Sequence, residues 1–210
     1  MADPFLELHS GATIISTNDN WKVAENGQSQ QAAIEATTIP PTNDLESAIL
    51  MNLAPGSYTA VMRGTNGGTG VGLVEVYDLT ASATTKMVNI STRGRVDIGD
   101  NVMIGGVIVT GANPSHVILR AIGPSLTNAG VVGALQDPVL ELHDAQGAVI
   151  TTNDNWKDDN EVEILATGIP PSDDRESAIV ATLYPANYTA IVRGKDDTTG
   201  VGLVEAYYLP

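Results

Sequence analysis

Apolar and polar side chains alternate along this chain in short stretches separated by Gly, Pro, Asn and Asp. That is the period of strands with one buried face. Leu140-Glu141-Leu142-His143 is the clearest stretch, followed by a turn at Asp144-Ala145-Gln146-Gly147 and a second strand at Ala148–Thr152. Ser177–Leu183, Tyr188–Arg193 and Val201–Tyr208 read as three more strands, joined by turns at Tyr184–Asn187 and Lys195–Gly200. Asp158–Thr167 breaks the alternation. Acids fill its first turn, Val162, Ile164 and Leu165 supply an apolar stripe, and Gly168 then Pro170-Pro171 stop it. This predicts a short helix, with Gln28–Thr37 as its counterpart earlier in the chain. In the middle, Met87–Arg95, Val102–Thr110 and Val117–Ile122 are strand candidates, with turns at Gly99–Asn101 and Gly111–Pro114. Val107-Ile108-Val109 reads as buried on both faces. Gly105-Gly106 inside a strand predicts a bulge or a close backbone approach.

The pattern occurs twice. Asp3–His9 returns as Asp137–His143, Thr17–Lys22 as Thr152–Lys157, and Pro40–Leu79 as Pro170–Leu209, the last pair with 23 of 40 positions identical. The offset changes only in a turn and after the tryptophan, where loops absorb insertions. The layout is therefore A (2–79), B (80–135) and A′ (136–210), an internal duplication around a different middle. Short strands with frequent turns predict an all-β protein, an antiparallel β-sandwich of jelly-roll type with one short helix per A-type repeat. Three assemblies fit. B plus A′ forms one complete sandwich after a truncated A, or each A copy folds alone with B as spacer, or both copies share B about a pseudo-twofold. An incomplete unit exposes a sheet edge, so self-association or contact with neighbouring modules is the expected partnership.

Composition narrows the function. With 25 acidic against 10 basic side chains, the formal charge is −15 and the pI about 4.3. Phosphate backbones and anionic membrane surfaces repel such a chain, so neither nucleic-acid binding nor membrane insertion is expected. No apolar run approaches the ~18 residues of a spanning helix, and the start MADPFLELHS has no secretory-leader pattern. The chain as given then reads as mature, trimmed or cytosolic. With no cysteine, disulfides, thiolate metal sites and cysteine nucleophiles are excluded.

The string D-P-x-L-E-L-H-D, then T-N-D-N-W, then Y-T-A-I-V-R-G and T-G-V-G-L-V-E resembles two families. One is the bacterial pre-peptidase C-terminal (PPC-type) β-sandwich, matched loosely, with His9 and His143 where that family usually has an aromatic. The other is similar over nearly the whole chain: tandem modules of large secreted proteins of Verrucomicrobia-like bacteria. Its B-type motifs stand here as Ile90–Gly94, Gly99–Val102, Ile104–Gly106 and Arg120–Leu126. The resemblance implies a β-sandwich in a secreted or cell-surface setting, and no particular chemistry.

Candidate chemistry lies in three places. Asn18-Asp19-Asn20 and Asn153-Asp154-Asn155 end a strand with three oxygen-bearing side chains, and Asp158, Asp159 and Glu161 follow in the second copy. Calcium takes six to eight such oxygens. The same residues equally make an Asx-turn and helix cap, and if one copy alone binds calcium, A′ is the richer. Trp21 and Trp156, with Tyr208, could stack on a glycan, or the tryptophans could fill the core. His9 and His143 share strand faces with Glu7 and Glu141 and should point to solvent. Ser125 sits in a tight turn without a nucleophile elbow, with His116 upstream and unconstrained. Glu-Ser-Ala-Ile at 46–49 and 176–179, Arg63 and Arg193, and Glu75 and Glu205 occur in both copies. The Glu75–Arg63 and Glu205–Arg193 pairs are expected to cross strands as salt bridges. The reading is a non-catalytic structural or adhesive module, possible calcium stiffening included. A carbohydrate-binding module is the alternative, and a hydrolase of unknown class the third.

Overall fold

Alternating sequence becomes strand in this protein wherever a partner strand is present. A computed structural model describes residues 1–80 and 87–209; the opening of segment B, residues 81–86, lies outside them. The chain divides into two units, Met1–Lys86 and Met87–Pro210.

The second unit is a sandwich of two four-stranded antiparallel sheets. Its strands are β4 (Asn89–Val96), β5 (Met103–Val109), β6 (Ser115–Ile122), β7 (Pro138–His143), β8 (Val149–Asn153), β9 (Ser177–Leu183), β10 (Ala186–Gly194) and β11 (Gly200–Leu209). One sheet runs β5-β10-β7-β8, the other β4-β11-β6-β9. Each sheet thus mixes strands of segment B with strands of A′. Between them, Leu119, Ile179 and Val204 pack with Leu140, Leu142 and Val192 in one apolar cluster. Fully burying a side chain of that size stabilises by roughly 1.5–3 kcal/mol. β6 is buried on both faces, for Leu119 faces the other sheet while Ile118 joins Trp156, Ile164 and Ala178 in a second cluster. The continuous apolar run of β6 has that cause. Ile164 comes from the helix α2 (Glu161–Ala166).

The first unit has the same chain pattern and less structure. β1 (Pro4–Ser10), β2 (Thr13–Asn18) and β3 (Thr59–Gly64) form one sheet of order β2-β1-β3, with the helix α1 (Gln31–Glu35) between β2 and β3 in sequence. This sheet is the counterpart of β8-β7-β10. The segments aligned with β9 and β11, residues 47–53 and 70–79, contain no strand. In the second unit those strands pair with β6 and β4, which segment B supplies and the first unit lacks. The consequence is exposure. Leu140 and Leu142 are fully buried, whereas the equivalent Leu6 and Leu8 are only half-buried. Val71 and Leu73 are each 76% exposed. The strand expectation for copy A is corrected accordingly.

Three local expectations also change. Val107-Ile108-Val109 is not buried on both faces. Ile108 is 62% exposed and Val109 buried, because β5 is an edge strand with one covered face. Gly105-Gly106 makes no bulge, for the β5–β10 register runs unbroken. A Cβ on Gly105 would lie 3.2 Å from the Val204 methyls, so this is a close approach between sheets. The helices are shorter than their sequence spans. Asn160 takes φ 58 ahead of α2, a left-handed conformation that cannot extend a helix, so Asp158 and Asp159 lie in a turn.

Candidate functional site

The repeated motifs N-D-N-W and E-S-A-I meet in space and fasten each repeat. In the second unit Asn153, only 3% exposed, accepts from the Ala178 N–H at 2.9 Å and donates to Asn155 O at 3.1 Å. The Ser177 hydroxyl lies 2.5 Å from Pro138 O and 2.8 Å from Asp154 O. Trp156 N–H donates to Glu176 O at 2.8 Å. The first unit repeats this residue for residue. Ala48 N–H donates to Asn18 Oδ1 at 3.0 Å, Ser47 contacts Pro4 O and Asp19 O, and Trp21 N–H donates to Glu46 O at 2.8 Å. These polar side chains replace missing ladder bonds at the strand ends, where an unpaired buried amide would be costly.

The candidate calcium residues are distributed as follows. Asn18 and Asn153 face inward in this buckle. Asp154 is held by Lys195 Nζ at 2.6 Å, with Asp137 3.9 Å from the same ammonium. Burial holds the Asp137 carboxyl above the usual carboxylate range, against the pull of Lys195. A lysine ammonium thus stands beside the A′ cluster. Asn155 donates to Asp158 Oδ2 at 2.8 Å, and Asp159 is exposed. In the first unit Thr65 stands at the lysine's position and donates to Asp19 Oδ1 at 3.1 Å, while Asn20 donates to Asp19 Oδ2 at 3.2 Å. Among the described residues, no three carboxylate or imidazole side chains gather as a metal-binding group.

The stacking candidates need a correction. Trp21 and Trp156 are 4% and 5% exposed, so neither offers a ring face to a sugar; each anchors its repeat's core, with Lys22 and Lys157 lying 5.4 and 5.2 Å from the ring centres. Tyr208 is 40% exposed on β11. The histidines also differ from expectation. His143 shares a sheet face with Glu141, yet its side chain is only 12% exposed. Nδ1 lies 3.1 Å from Gly147 O and Nε2 2.8 Å from Glu141 Oε2. Only the imidazolium donates to both, and these acceptors raise the His143 pKa above its usual 6.5. In the first unit, Arg63 and then His9 hold the Glu7 carboxyl below the usual range. His116 stands 3.6 Å from Glu163, while the Ser125 hydroxyl donates to Glu176 at 2.5 Å.

The expected Glu–Arg pairs are also corrected. Arg193 reaches Glu141, at 3.5 Å, and Arg63 pairs with Glu7, because β10 and β3 lie beside β7 and β1. Glu205 instead pairs with Arg120 of β6, its cross-strand neighbour in the β11–β6 register. Arg120 also donates to Ile169 O at 2.7 Å and stacks 5.0 Å from the Tyr207 ring centre. Tyr207 OH donates to Glu205 at 2.9 Å, and Ser91 of β4 adds a bond at 3.1 Å. Burial, then Glu205, raises the Tyr207 phenol pKa. Beside this group, Glu176 is wholly buried and its Oε1 accepts from Gly123 N–H, Ser125 N–H and Ser125 Oγ. A hollow of about 220 Å³ opens between Arg120, Ser125, Pro171, Glu176, Leu203 and Glu205. In the sequence Arg120 stood out only as the first residue of a B-type motif. A lone base within the apolar run SHVILRAI was the signal, since a charge there requires a partner.

No protein-family model matches this chain, and no curated protein matches it. Among solved structures, it is similar to the pre-peptidase C-terminal domain of collagenase from Bacillus anthracis. That likeness has 12% identity and a TM-score of 0.36, covering 57% of this chain and 89% of that one. The resemblance to a PPC domain is thus loose.

Proposed function

We propose that this chain is a non-catalytic structural or adhesive module of an extracellular bacterial protein. The observation that carries the reading is the use made of the repeated polar motifs. Asn153, Glu176, Ser177 and Glu205, the side chains whose chemistry could have served a substrate, each bind backbone groups or neighbouring side chains within the fold. The extracellular setting rests on the motif resemblance to secreted tandem modules.

The test is a binding and turnover screen on the purified chain. Polysaccharides, divalent cations and ester, peptide and glycoside substrates are presented, with calorimetry and product release as readouts. A structural module gives no glycan heat and no product, and a midpoint that falls after chelation marks calcium stiffening of that same module. Saturable glycan binding or turnover blocked by Arg120→Ala would overturn the reading in favour of a ligand site at the Arg120 hollow.

A further inference from the structure

The first unit holds the unfilled half of a site that the second unit shows filled. In the second unit β6 lies between β9 and β11, β4 flanks β11, and β5 flanks β10. All three come from segment B. In the first unit β3 has the same sequence position as β10 but no β5 beside it, and residues 47–53 and 70–79 have no strand between them. Their apolar side chains are left open: Leu50, Met51 and Leu53 are 43–45% exposed, and Leu73 76%. The equivalents of Leu53 and Val74, namely Leu183 and Val204, are buried at 4% and 5%.

The polar fittings are open as well. Glu75 and Tyr77 stand where Glu205 and Tyr207 stand, and Tyr77 OH donates to Glu75 at 3.0 Å as its counterpart does. The arginine and serine that complete the group come from β6 and β4. Glu46, the equivalent of Glu176, binds the N–H groups of Thr42 and Asn43. The loop partners of Glu176, Gly123 and Ser125, again belong to segment B. Apolar face, carboxylate and loop acceptor all await the same piece.

We propose that the first unit is a strand acceptor, and that its occupant is a second B-type segment with the chemistry of residues 87–122, carried by a neighbouring module. An arginine at the Arg120 position would meet Glu75 and Tyr77. This chain's own β4, β5 and β6 are engaged in the second unit, so they are not the donor. The mode is β-augmentation by a central strand, with backbone ladder bonds giving affinity and alternate side chains giving register. The inference deepens the module reading above, yet stands or falls on separate measurements.

The experiment fuses a copy of residues 87–136 directly to Asp3, reproducing the Gln136–Asp137 junction of the second unit ahead of the otherwise complete chain. Amide hydrogen exchange is followed at residues 47–53 and 70–79. In the parent chain these amides, Ala48 apart, exchange freely at every protein concentration. In the fusion they slow by on the order of a hundredfold or more, as global opening replaces local exposure, and Arg120→Glu in the added copy alone reverses much of that gain. Unchanged exchange in a soluble fusion overturns the proposal. So does protection in the parent that grows with concentration, which would make a second copy of the chain the occupant. If the fusion fails to fold, a free peptide of residues 113–123 added to the parent replaces it. Protection of residues 47–53 by the peptide supports the proposal, and its absence at saturating peptide overturns it. Glycan binding or turnover would remove the structural reading and leave these outcomes untouched.

Discussion

Replacing Glu176 by Gln isolates what segment B contributes to a repeat. The glutamine keeps the shape, and its carbonyl can take over the three bonds made by Oε1. Its amide nitrogen then faces the Asp173 N–H, which donates to Oε2 at 3.2 Å. One charge-assisted bond is lost and two donors confront each other in a wholly buried position, which costs about 2–4 kcal/mol. With a urea slope of about 1.5 kcal/mol/M, the midpoint of the second unit falls by roughly 1.3–2.7 M. Trp21→Phe makes Trp156 the sole tryptophan, so its fluorescence reports that unit. Glu46→Gln, read by Trp21 in a Trp156→Phe background, is the matched control. Glu46 binds two amides through one oxygen near the surface, so the glutamine carbonyl replaces it at a cost below about 1 kcal/mol. Equal shifts for the two variants would refute the reasoning, as would a Glu176→Gln midpoint within about 0.5 kcal/mol of the parent.

Gly194→Ala places a Cβ 1.9 Å from Thr198 O, so urea melts should show a loss of about 2 kcal/mol or more; Gly106→Ala, with open space around its Cβ, should change little. Ser177→Ala removes the hydroxyl that bridges β7 and the Asp154 turn, at about 1–2 kcal/mol. Ser47→Ala, which breaks the same buckle in the first unit, should shift the Trp21 transition and leave the Trp156 transition in place. His143 has its pKa raised in the fold above 6.5, so its stabilisation is complete below that value and disappears as pH rises through the folded pKa. Urea midpoints of the second unit should therefore fall as pH rises above 6.5 in the parent and stay level in His143→Gln; an unchanged slope would remove the imidazolium from the account.

Alternation made the strands legible, and the duplication made the repeat legible, because both are written in local side-chain order. Leu140 and Leu142 fall where their period puts them. The paired motifs were visible too, but as candidate ligands, since nothing in Asn153 or Ser177 tells which backbone group each will reach across the fold. What local order could not carry is the difference between copies. Residues 70–79 and 200–209 both begin G-V-G-L-V-E, yet only the second forms a strand. The deciding factor is β6, a neighbour in space that lies outside the repeated sequence. Lys195 and Thr65 make the same point for the acidic turns, where one substitution decides whether a carboxylate is already paired.

The pairing of β4 with β11 has a mechanical consequence. Tyr207 stands opposite Asn89, and Tyr208 N–H donates to Val88 O at 3.0 Å, so the second unit begins and ends at the same end of the same sheet. Tension entering at residue 87 and leaving at residue 209 pulls these two strands apart from that end. The ladder opens like a zipper, one rung at a time, and is never loaded in parallel.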